Sequence, residues 1–155
     1  MTPAFETYSP RARFDVLAGV YGLDSTAIDA IRRGINTVLP RVQELVRGVE
    51  QVLKSDSAQA LVGSLDDAER ARLLSVGASF VMRTIGCNFD DAFCDYAAGL
   101  AESQNLPERF VPAVVGIAGS FVITVLAGAV SDPAERERMT GAWSRLSSVL
   151  IGLTS

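Results

Sequence analysis

The chain has 155 residues, enough for one domain with a core of its own. Hydrophobic residues make up 48% and charged residues 21%, the balance of an ordinary folded domain, and the net charge of −4 argues against nucleic acid or an anionic membrane surface as a partner. There is no histidine, which excludes a Ser-His triad, a Cys-His dyad, a His-ligated metal and a His-based pH switch.

The elements follow in chain order. Residues 1–9 read as a loose arm, and residues 10–155 as a single domain. Residues 10–21 predict a short helix with Phe14, Leu17, Ala18 and Tyr21 on one face, ended by Gly22. Asp24, Ser25 and Thr26 offer N-caps for the next helix. From Ile28 through Ile31, Ile35, Val38, Leu39, Val42, Leu45, Val46, Val49, Val52 and Leu53 the apolar residues recur in steps of three and four. That is one amphipathic stripe, and Pro40 predicts a kink or break in it near residues 36–40. Residues 58–62 form a helical turn closed by Gly63. Ser64-Leu-Asp-Asp67 resembles a capping box and opens a helix that carries Leu73, Leu74, Val76, Phe80, Val81 and Ile85 to Gly86. Asn88-Phe-Asp-Asp91 opens another, through Phe93, Tyr96, Ala97, Leu100 and Ala101.

Asn105-Leu-Pro-Glu108 opens a long apolar helix, with Pro107 in its first turn. Residues 111–130 carry no charge and by length could span a bilayer. Ala, Gly, Pro, Ser and Thr dilute the segment and no Lys or Arg cluster flanks it. It therefore reads as a central core helix of an all-α domain, with no membrane as partner. Asp132, Pro133 and Glu135 are the best cap in the chain, as N-cap, N1 and N3. The last helix shows Met139, Ala142, Trp143, Leu146, Val149, Leu150 and Leu153, again in steps of three and four. The total is six or seven helices and no strand.

Cys87 and Cys94 make neither a CxxC nor a secreted disulfide framework, and read as partly buried thiols. The N-terminus lacks the basic and apolar regions of a signal peptide, so a cytoplasmic location is expected. The paired acids Asp66/Asp67, Asp90/Asp91 and Glu135/Glu137 sit at helix starts, where the helix dipole favours them. No nucleophile–base pair or phosphate loop accompanies them, so no enzyme is expected.

A globin-like frame emerges from particular residues. Phe89-Asp-Asp-Ala-Phe-Cys-Asp-Tyr96 resembles the segment of protoglobins and globin-coupled sensors that opens the proximal helix, and Gly99-Leu100 resembles the pattern just before their proximal histidine. Asp132-Pro-Ala-Glu, Met139, Ala142-Trp143 and Leu150 are similar to the family's last helix, and residues 28–46 to its first long one. The likeness is distributed over residues 10–153. It implies a globin-like fold of six or seven helices, with a long central apolar helix and a C-terminal amphipathic one. It also implies a haem pocket between the helices over 67–85, 90–104 and 108–130.

The proximal histidine of that family would fall among Ala101, Glu102, Ser103, Gln104 and Asn105, and its distal tyrosine near residues 49–51; neither is present. Haem iron needs a strong axial donor, so no cofactor is expected, with a linear tetrapyrrole as the alternative. Haem-less globins of this kind are sensor domains, as in bacterial stressosome sensors. They dimerise through their last two helices and signal to an output domain or partner protein.

In that frame Val76, Phe80, Phe93, Ala97, Ala101, Val114, Ile117, Ala118 and Phe121 wall the former haem pocket. They either fill it or enclose a small apolar ligand such as a fatty acid, with Arg83 at its mouth for a carboxylate. Gly116, Gly119, Ser120 and Gly128 narrow the long helix. With Trp143, Leu146 and Leu150, Gly116, Gly119 and Ser120 are the expected homodimer interface. The rival readings are a gas or light sensor that binds a tetrapyrrole (haem or linear bilin) and a purely structural dimerisation module.

Overall fold

The computed structural model describes residues 3–86 and 88–155, and among these residues the chain is helical throughout with no strand. A 3-10 turn, Phe5–Thr7, precedes helices α1 (Pro10–Tyr21), α2 (Ser25–Val38), α3 (Val42–Leu53), α4 (Asp56–Val62), α5 (Asp67–Ile85), α6 (Asp91–Ser103), α7 (Phe110–Ala129) and α8 (Pro133–Thr154). The arm expected at residues 1–9 thus contains that turn; Met1 and Thr2 lie outside the described residues, as does the thiol expected at Cys87.

Pro40 breaks the long stripe as its missing N–H requires: α2 ends at Val38 and a 3-10 turn, Leu39–Arg41, leads into α3. Asp24, Asp66, Asp90 and Asp132 are N-caps, each accepting a backbone N–H three residues on, at 2.9, 2.7, 2.9 and 3.2 Å. Two starts differ from the sequence reading. Asp66, not Ser64, caps α5. α7 begins at Phe110, because Pro107–Phe110 closes a turn of its own through Phe110 N–H to Pro107 O at 3.0 Å. α6 ends in a Schellman motif. Asn105 takes the left-handed conformation at φ 49°, Leu106 N–H donates to Ala101 O at 2.8 Å and Asn105 N–H to Glu102 O at 3.2 Å.

α7 and α8 together form the hub of the fold: α8 packs most extensively on α7 and also on α1, α2 and α6. Its stripe Met139, Ala142, Trp143, Leu146, Val149, Leu150 and Leu153 is buried. The hub needs close approach at two points. Gly152 lets Leu17 of α1 sit where a Cβ would stand 2.8 Å from Leu17 Cδ2, and Gly119 of α7 leaves room for Ser147 of α8. α7 packs on α8, α2, α3, α5 and α6. Only 44% of its most apolar stretch is buried, although by length and composition alone it could cross a membrane.

Charged tethers fix the periphery. Arg11 donates to Phe89 O at 2.6 Å, tying α1 to the start of α6, and Arg72 donates to Gln104 O at 2.7 Å, tying α5 to the end of α6. Arg33 of α2 meets Glu135 of α8 at 2.6 Å.

Candidate functional site

Aromatic rings bridge α5 and α6, two of the three helices between which the resemblance implies a pocket. Phe80 projects from α5 and stacks on Phe93 and Tyr96 of α6, with ring centroids 6.5 and 6.2 Å apart. The stack continues from Phe93 to Phe89 at 5.3 Å and from Phe89 to Phe14 of α1 at 5.9 Å. These separations are those of favourable aromatic pairs. Arg83, on the exposed side of α5, lies over the Tyr96 ring at 3.8 Å. It covers the end of the stack. Burial pushes the Tyr96 phenol above its usual value, and the Arg83 charge and hydrogen bond work against that rise.

Residues 101–105 offer no ligand to the implied pocket. Ala101 and Glu102 give their carbonyls to the Schellman turn, and Arg72 holds the carbonyl of Gln104. Glu102, Ser103, Gln104 and Asn105 are exposed. Among the described residues there is no group of three or more His, Cys, Asp or Glu placed to hold a metal.

The residues expected to wall one pocket are dispersed. Phe93 and Ala97 are buried in α6, Val76 and Ala101 are half-buried, and Phe121 lies under Arg41 at 5.9 Å. Phe80 and Ala118 line a small crevice between α5, α7 and α8 with a volume of about 20 Å³. Val114 and Ile117 line a separate groove of about 270 Å³ between α3, α4 and α7. Val52, Leu53, Leu61, Phe110 and Ala113 are among its other walls, with Ser57 as its polar group. These ten residues therefore do not line one common space.

The expected dimer residues are also divided. Trp143, Leu146, Leu150 and Gly119 are buried in the protomer and line the α5–α7–α8 crevice. They cannot form an outer surface, because α8 spends its apolar stripe on the core. Gly116 and Ser120 do face outward, in line with Thr124, Ala127 and Gly128.

Two features escaped the sequence reading. One is the α3–α4–α7 groove, whose signal is apolar Val52 and Leu61 left 40% and 44% exposed on otherwise polar helix faces. The other is the Trp143 indole Nε1, a buried donor without a hydrogen-bond partner; no sequence pattern announces it. Of the paired acids, Asp66 and Asp90 are caps, Asp67 binds Arg70 at 2.8 Å, and Glu135 binds Arg33 and Arg138 at 2.6 and 2.9 Å.

No family model matches the chain. A search of curated proteins likewise finds no match.

Proposed function

We propose that the chain is a haem-less, globin-like regulatory domain, a cytoplasmic signalling module that works as a homodimer through the outward face of α7. The observation that carries this reading is the half-burial of the most apolar helix in the chain. Gly116, Ser120, Thr124, Ala127 and Gly128 line its open side with small side chains. Small residues let two helix axes approach closely, so α7 of one copy would pack on α7 of the other. The globin-like part rests on the residues quoted above and on the all-helical architecture. The aromatic stack between α5 and α6 supports the haem-less part, since it bridges two of the helices between which a tetrapyrrole would sit. The role is regulatory rather than enzymatic, because among the paired acids Asp66 and Asp90 serve as caps and Asp67 and Glu135 as ion partners. An output domain or partner protein would receive the signal.

A second reading adds a small apolar ligand such as a fatty acid. The α3–α4–α7 groove favours it, at about 270 Å³ and almost wholly apolar. The rival tetrapyrrole reading requires the aromatic stack to open.

Purification after expression with haem and biliverdin supplied tests the cofactor part: a colourless protein is expected, and a stoichiometric visible absorption band overturns it. Light scattering tests the dimer, with a monomer at high concentration as the contrary result. Native mass spectrometry tests the ligand reading, where a co-purifying acyl ligand is expected and a bare chain counts against it.

A further inference from the structure

The crevice between α5, α7 and α8 is lined by a residue whose donor has nothing to donate to. Trp143 is 4% exposed, and its indole N–H finds no acceptor in the protein. Buried donors are nearly always paired, because a dry one forfeits its hydration without return. The crevice that Trp143 lines has a volume of about 20 Å³, enough for one water-sized molecule and too little for a drug-sized or acyl ligand.

Two hydroxyls line the same space. Ser147 sits one turn beyond Trp143 on α8, and Thr84 faces them from α5. The Thr84 hydroxyl already donates to Phe80 O at 2.9 Å, so its lone pairs are what remain to accept. The Ser147 hydroxyl can rotate to donate or accept. The other walls are apolar and no charged side chain lines the crevice, which disfavours an ion. A molecule here could accept from Trp143 and donate to Thr84 or Ser147, the two or more partners that a buried water requires.

We propose that this crevice is a binding site for one water-sized neutral molecule that accepts the Trp143 indole hydrogen bond, and that water fills it in aqueous solution. The molecule links α8 to α5 beside α7. Ala118 and Gly119 form part of its wall, while Gly116 and Ser120 of the same helix face outward. The site stands whether or not the chain is a globin-like dimer.

The chain has one tryptophan, so its indole proton gives a single NMR resonance. Water-selective NOE and ROE spectra of the full chain should show a water cross-peak at that proton, with the sign ratio of bound rather than freely diffusing water. Ser147→Ala and Thr84→Val should each weaken it. A missing cross-peak, the sign ratio of diffusing water, or an intensity unmoved in both variants would overturn the proposal. Should either variant fail to fold, the wild-type spectrum and crystallographic density at Nε1 decide it: a dry crevice sinks the site.

Discussion

Phe80→Ala tests how tightly aromatic side chains bridge α5 and α6. Phe80 is 2% exposed and stacks on both Phe93 and Tyr96. Removing the ring loses about 2–3 kcal/mol of burial, and each lost aromatic pair adds about 0.5–1 kcal/mol. With two pairs lost the total is roughly 3–5 kcal/mol, the range of buried Phe→Ala changes. For a domain of this size that is a fall in Tm of about 6–20 °C. The hole would also join the adjoining crevice, since Phe80 is one of its walls. Equilibrium urea unfolding followed by the fluorescence of Trp143 gives the loss directly, and benzene should raise the stability of the variant but not of the wild type. A loss under about 1 kcal/mol, outside the range for a filled core, would refute the packing reasoning.

Other expectations follow from single contacts. Asp132→Ala removes the cap of α8 and should cost about 1 kcal/mol, seen as a fall in Tm of about 2–4 °C; an unchanged Tm would deny the cap any role. The hydrogen bonds from Arg33 and then Arg138 hold the Glu135 carboxyl below its ordinary value, against a smaller opposing effect of burial. Its stabilising contribution is therefore present above the ordinary glutamate range and lost as pH falls through the depressed value. Glu135→Gln should flatten the acid limb of a plot of urea midpoint against pH, and an identical limb would contradict the pairing. Burial, the largest influence on Cys94, pushes its thiol above the ordinary value, against a smaller pull from Arg11. In a Cys87→Ser background a thiol reagent should therefore modify Cys94 only on unfolding; rapid labelling of the folded chain would contradict its burial.

The sequence and structure agree wherever a local rule had one solution. Pro40 could not continue a helix, Asp132-Pro-Ala-Glu135 could only start one, and the three-four stripe from Met139 to Leu153 could only face the core. The differences arise where periodicity is silent. α7 carries no charge, and only Ser120 and Thr124 mark its outer side, a signal too weak to say which side is inside. The structure buries Val111, Val114, Val115, Val122, Val125 and Leu126 and leaves Gly116, Ser120 and Thr124 outside. Trp143, Leu146 and Leu150 were placed at an interface by resemblance, although their spacing already fitted the α8 core stripe. The expected pocket residues are divided because docking, not local pattern, assigns them: Phe80 and Ala118 line the α5–α7–α8 crevice, and Val114 and Ile117 line the α3–α4–α7 groove. The α3–α4–α7 groove depends on how α4 docks, which no local pattern encodes.

The central claim is that the outward face of α7 joins two copies of the chain. Gly116 is the residue to change, because a side chain built there meets nothing within 4 Å in the protomer. Sedimentation velocity on the wild type and on Gly116→Arg is the most direct measurement. The account predicts a wild-type dimer at micromolar concentration and a monomeric variant with unaltered helicity. A wild-type monomer at every concentration, or a variant that dimerises as the wild type does, would contradict it.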